Sequence, residues 1–198
     1  MPAADVQECF RRAFLSAPAL AFPVGTPPQR LRELERGWWR DLVRRVFSPL
    51  GPFPGFDEFF EELFSHFAGA EAWRLYPETT AVISTLAERG FTLGVVSNFD
   101  SRLFGILEGL GIAQFFGSVT ISSRAGAAKP QVEIFRLALR LHGLAPAEAV
   151  HAGDSSEMDV AGALSAGITP VLVDRRGRGH ADRCRAVDDL RGLLQLLG

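Results

Sequence analysis

Lysine is almost absent from these 198 residues: of 21 basic side chains, twenty are arginine and Lys129 stands alone. Asparagine also occurs once, at Asn98. The two cysteines, Cys9 and Cys184, lie near opposite ends without metal-site spacing or a disulfide pattern. Free thiols in a reducing cytoplasm are therefore expected. No apolar run approaches the ~18 residues of a membrane span, and no signal peptide opens the chain. The net charge is -2, no charged tail exists and the arginines are scattered. Nucleic acid and membrane are thereby excluded as expected partners. What remains is a cytoplasmic globule of one domain, or one core with a smaller appendage.

Scarcity of lysine raises the question of what the single one does. Arginine is a planar fork, whereas lysine is a compact ammonium on a flexible stem. A position that admits only lysine suggests a tight site for a small anion, with chance or a surface position as the ordinary alternative.

Residues 1–75 read as helix only. "VQECFRRAFL" places Val6, Phe10, Phe14 and Leu15 on one face. "RLRELERGWWRDLVRRVF" repeats Leu31, Leu34, Trp38, Leu42 and Val46 at helical spacing, and "FDEFFEELFSHF" is a third amphipathic segment. The stretch "SPLGPFPG" separates them. The aromatics Trp38, Trp39, Phe59, Phe60 and Phe64 are ordinarily core at this spacing, with a ligand pocket as the alternative.

From Tyr76 the pattern alternates. Pro77 opens a helix that Gly90 closes, followed by the strand "FTLGVVS" and the helix "RLFGILEGLG". Then come the strand "SVTIS", the helix "QVEIFRLALRLHG", the strand "AVHAGD", the helix "EMDVAGALSAG", the strand "TPVLV" and the helix "LRGLLQLL". Strands alternating with helices predict an α/β, Rossmann-like, doubly wound parallel sheet over 76–198, preceded by a small helical unit over 1–75. Ligands of such sheets sit beyond the carboxyl ends of the strands.

Three strand ends carry chemistry. "VVSNFD" puts Ser97, Asn98 and Asp100 at the sheet edge, where a hydroxyl and helix-start N–H groups make an anion cradle; a plain helix cap is the simpler reading. "SSRAGAAKP" delivers Lys129 from a small-residue loop, with Pro130 suited to the first position of the next helix. "HAGDSSEMDV" places Asp154 after Gly153 and Asp159 five residues on. Two carboxylates there suit a hard cation such as magnesium, although "SEMD" from Ser156 also fits a variant capping box. His151, inside an apolar strand, reads as a hydrogen-bonded core histidine.

Serine after the first strand, lysine before a helix after the second, and "GD-x4-D" after the third occur in that order. The pattern resembles the haloacid dehalogenase-like hydrolases, a superfamily dominated by magnesium-dependent phosphatases. It covers residues 76–175, and the preceding helices resemble the family's helical cap. "SNFDSRLFGILEGLGI" resembles most closely the branch containing the haloacid dehalogenase-like hydrolase domain-containing protein 3. The resemblance implies that Ser97 and the Asn98 backbone bind phosphate and that Lys129 balances phosphate and carboxylate charge. It makes Asp154 a magnesium ligand, Asp159 its supporting acid, and a small phosphorylated metabolite the substrate. The dehalogenases that share the fold need no magnesium and carry an asparagine- and serine-rich counterpart of the third motif, so the acidic version here implies phosphate chemistry.

One part of the family pattern is absent. Members open with an apolar strand ending in an Asp-x-Asp-like motif, whose first aspartate is the nucleophile. This chain opens "MPAADVQECF"; Asp5 follows no apolar strand, and Asp174, after "TPVLV", reads as a loop residue. In the family fold the missing strand is central, between those ending at Ser97 and Asp154. The expectations are a gap in the sheet, open to association with another chain, a truncated start, and no activity as written. A complete, non-catalytic phosphate-binding or interaction module is the alternative.

Overall fold

The helical segment forms α1 (Ala3–Ser16), α2 (Pro28–Phe47) and α3 (Phe56–His66) in the computed structural model, which describes residues 3–177 and 184–198. Pro28 occupies the first turn of α2, where its missing N–H costs nothing. Spacing of three and four along α2 then buries Leu31, Leu42, Val43 and Val46. Helix α1 packs differently from its predicted face. Ala13 is its buried residue, while Leu15 is 67% exposed and Phe10 and Phe14 each 43%. The small Ala13, with Val6, Cys9 and Ala17 beside it, docks on Leu42 and Val46. That close approach turns the phenyl rings to the rim.

The second segment forms α4 (Thr79–Glu88), β1 (Leu93–Ser97), α5 (Arg102–Gly109), β2 (Phe116–Ile121), the single turn α6 (Ser122–Ala125) and α7 (Val132–His142). It continues with β3 (Val150–Gly153), α8 (Ala161–Ser165), β4 (Thr169–Val173), β5 (Arg185–Val187) and α9 (Arg191–Leu196). Every strand pair is parallel. The short β5, exposed on two of its three residues, is an element that the sequence pattern did not show.

Among the described residues the strands make two sheets, β1–β2 and β3–β4–β5, rather than one. Strands β1 and β3 line a common cleft of about 490 Å3, walled also by Ile83, Leu86, Phe135, Leu139 and Leu193. Parallel strands are ordinarily buried on both faces, yet no residue of β1 or β3 is fully buried. The interruption falls between the strands that end at Ser97 and Gly153. The chain winds from β1 to β2 on one side and from β3 to β4 and β5 on the other. The ends of β1 and β3 therefore flank the switch point at which open α/β sheets hold ligands.

Two local expectations are corrected. Pro130 is not the first residue of α7, which begins at Val132. A turn closed by Gln131 N–H on the Ala128 carbonyl (2.8 Å) occupies that position instead. The helix after β3 opens as a π turn over Ser156–Val160, capped by Ser155 rather than Ser156. The N–H groups of Asp159 (2.9 Å) and Val160 (3.1 Å) both donate to the Ser155 carbonyl, which widens that turn.

Candidate active site

Strand β1 ends at Ser97, in register with Ile121. The next residue, Asn98, reaches across to the loop after α6. Its Nδ2 donates to the Lys129 carbonyl (2.9 Å), and the Lys129 N–H donates to Asn98 Oδ1 (2.7 Å). The loop itself is fixed. Ala127 and Ala128 are buried, and the Ala128 N–H donates to Gln131 Oε1 (2.9 Å). Gly126 holds φ +72, with Val24 so near that a Cβ would lie 2.9 Å from it.

This clamp aims Lys129 at Asp159. Nζ donates to Asp159 Oδ1 at 2.7 Å, and the lysine side chain is only 14% exposed. His151 Nε2 lies 2.9 Å from the same oxygen, and the Ser155 N–H donates to Oδ2 (3.1 Å). Both oxygens of the buried Asp159 are thus engaged. Burial alone would push its carboxyl up; the His151 hydrogen bond, then the charge and hydrogen bond of Lys129, outweigh it and hold the group well below the usual carboxylate range. Gly153 makes the contact possible, since a Cβ there would lie 2.2 Å from Asp159 Cγ.

Asp154 follows β3 as an exposed residue on the cleft that Lys129, His151 and Asp159 also line. Ser97 stands one residue beyond the cleft-lining Val96 and is not itself in the lining. The fold therefore gathers Lys129, Asp154 and Asp159, ties Asn98 to Lys129, and leaves Ser97 at the adjoining strand end. His151 is the hydrogen-bonded histidine that its strand position implied.

Magnesium takes oxygen ligands, commonly one or two carboxylates with waters and phosphate oxygens. Asp154 fits that role. Asp159 does not offer a free oxygen in this arrangement, because Lys129, His151 and Ser155 share its carboxylate. Among the described residues no group of three histidine, cysteine or acidic side chains is placed to hold a metal.

Glu35 was not singled out in the sequence, and Asp100 was read there only as a helix cap, which its acceptance of the Arg102 N–H (2.9 Å) fits. Glu35 on α2 is buried; its Oε1 accepts from Ser101 N–H (3.1 Å), Ser101 Oγ (2.8 Å) and Ser123 Oγ (2.6 Å). It pins the helical segment to the loop after β1 and to α6. Its register with Leu31 and Leu42 on the apolar face was the available signal. Asp100 is fully buried and takes Arg102 in a two-pronged pair. No periodicity marks that loop.

Comparison with known proteins identifies the family. The family model described as haloacid dehalogenase-like hydrolase matches residues 5–167. The chain is 38% identical over 138 residues to the haloacid dehalogenase-like hydrolase domain-containing protein 3 of Bos taurus, covering 69% of this chain and 55% of that protein. It is 39% identical over 152 residues to the phosphoserine phosphatase of Thermus thermophilus, covering 76% and 50%. The chain thus spans about half the length of these curated relatives. A crystal structure of a HAD phosphatase from Thermococcus onnurineus superimposes with TM-score 0.66 and 26% identity, over 97% of this chain and 92% of that one. A lysine fixed against an acid in the first helical turn after β3, and a family match spanning most of the sequence, lead to one conclusion: the chain belongs to the haloacid dehalogenase-like hydrolases.

Proposed function

We propose that the cleft serves hydrolysis of a small phosphate monoester, with residues 1–75 acting as a cap over the core of residues 76–198. Ser97 and the Asn98 backbone would hold phosphate oxygens at the end of β1. Lys129 would balance the charge gathered between phosphate and carboxylates, and Asp159 positions that ammonium. Asp154 would be the chain's carboxylate toward magnesium, which supplies Lewis-acid neutralisation of phosphate oxygens when bound. The observation that carries this reading is the ammonium of Lys129 on Asp159, its backbone clamped by Asn98. Such a preorganised cation beside a strand end suits an anion whose charge grows during reaction.

The named residues hold and balance an anion, and none of them is placed to attack it. The reading therefore includes negligible turnover by the 198-residue chain alone, with activity requiring an aspartate-bearing strand between β1 and β3. A longer form of the same polypeptide or a different neighbouring chain could bring that strand. The test compares this chain with the product of the whole reading frame on a panel of phosphate monoesters with magnesium. Turnover only in the longer product supports the proposal. Turnover by the short chain that Asp154→Asn abolishes would mean that a residue within it attacks phosphorus, and Asp174 would be tested first. Phosphate binding with silence in both would favour a non-catalytic phosphate-binding module.

A further inference from the structure

The aromatic side chains of the helical segment do not close into a solid core. Helices α2 and α3 and the loop after β1 surround a second cavity of about 330 Å3, lined by Trp39, Phe59, Phe60, Phe64, Trp73 and Phe99 among others. No residue lines both this cavity and the cleft that holds Lys129. Protein interiors rarely leave voids larger than a water, and this one is about ten times the ~30 Å3 share of a water molecule.

The walls brace each other against collapse. Trp39 and Trp73 both stand edge-on to Phe99, with centroids 6.0 and 5.7 Å away, and Phe60 lies 5.6 Å from Phe64. The polar atoms of the wall are already engaged. Trp39 Nε1 donates to the Asp100 carboxylate and Trp73 Nε1 to the Phe67 carbonyl (3.2 Å). The Arg102 guanidinium is paired with Asp100, donates to the Phe64 carbonyl (3.3 Å) and lies 4.0 Å from the Phe64 ring centroid.

A cavity whose donors are spent suits water poorly, because a buried water needs two to four polar partners. Its charge is balanced internally, so it favours neither a cation nor an anion. We infer that it binds a neutral, apolar small molecule of about two rings, since a dry cavity of about 150 Å3 already takes benzene. Phe10, Phe67 and Trp73, exposed by 43%, 40% and 36%, form the mouth. None of the residues assigned to phosphate lines this cavity, and the inference does not rest on that assignment.

The test titrates the purified chain with N-phenyl-1-naphthylamine, a neutral aromatic fluorophore. Saturable one-to-one binding is expected, with quenching of tryptophan emission because Trp39 and Trp73 line the cavity. Saturating inorganic phosphate should leave it unchanged. Val43→Phe and Leu63→Trp place bulk in the cavity and should each weaken binding about tenfold or more, with a melting temperature unchanged or raised. The inference fails if the parent shows no saturable binding, or if phosphate displaces the probe. It fails equally if a variant of unchanged melting temperature binds as well as the parent. Lowered melting temperatures in both variants would mean that the space is not open, and would overturn it too.

Discussion

Asn98 and Lys129, the only asparagine and the only lysine of the chain, hold each other through two hydrogen bonds, Nδ2 to the lysine carbonyl (2.9 Å) and lysine N–H to Oδ1 (2.7 Å). The resemblance assigned the Asn98 backbone to phosphate. The structure adds a different task for its side chain, which fixes the backbone from which the ammonium projects. Asn98→Ala should cost about 2 kcal/mol of stability, since it leaves two part-buried backbone groups unpaired. It should also weaken phosphate binding although Lys129 is still present. Urea midpoints and phosphate titration measure the two effects, and a variant binding phosphate like the parent would show that the clamp is idle.

Lys129→Arg should not rescue the lysine. Lys129 and His151 approach the same Asp159 oxygen at 2.7 and 2.9 Å, a space suited to a compact ammonium rather than a planar guanidinium. Phosphate affinity should fall about tenfold, or ~1.4 kcal/mol. Lys129→Met should cost stability as well, about 3 kcal/mol, by leaving a buried carboxylate short of its partner. Equal phosphate binding by the arginine variant would remove the compact-site explanation.

Gly153→Ala should act at a distance from its own strand. The added Cβ would meet Asp159 Cγ at 2.2 Å, so the carboxylate must leave Lys129 or β3 must shift. A loss of about 3 kcal/mol in unfolding free energy is expected, at the upper end of overpacking costs. An unchanged urea midpoint would mean that β3 yields freely.

Acid stability should report Asp159. Its folded-state carboxyl sits below the ordinary range, so its contribution is present above the unfolded value of about 4 and is lost as pH falls toward the folded value. With a metal chelator present, the parent should lose stability more steeply than Asp159→Asn below about pH 4. Identical slopes would show that the Lys129–Asp159 pair contributes nothing to folding.

How much of this was legible in the sequence depended on whether chemistry or packing decided the position. The alternation of β1, β2, β3 and β4 with helices was readable because apolar runs bounded by glycine leave few alternatives. Strand β5 was not, since "RAV" has neither length nor alternation and pairs only because β4 offers an edge. On α1 the periodicity named the large phenyl rings, while packing on Leu42 and Val46 selected Ala13. Glu35 lay in register with Leu31, but residue type argued against burial, and only Ser101 and Ser123, distant in sequence, explain it. The rare residues Lys129 and Asn98 were visible singly; their mutual bond was not, because 31 residues separate them.

The most direct test of the central claim is calorimetric titration of inorganic phosphate, with magnesium present, into the 198-residue chain and into Lys129→Met. The account predicts measurable, weak one-to-one binding by the parent, lost in the variant. Equal heats of binding in both, or no binding by a folded parent, would contradict the assignment of this cleft to phosphate.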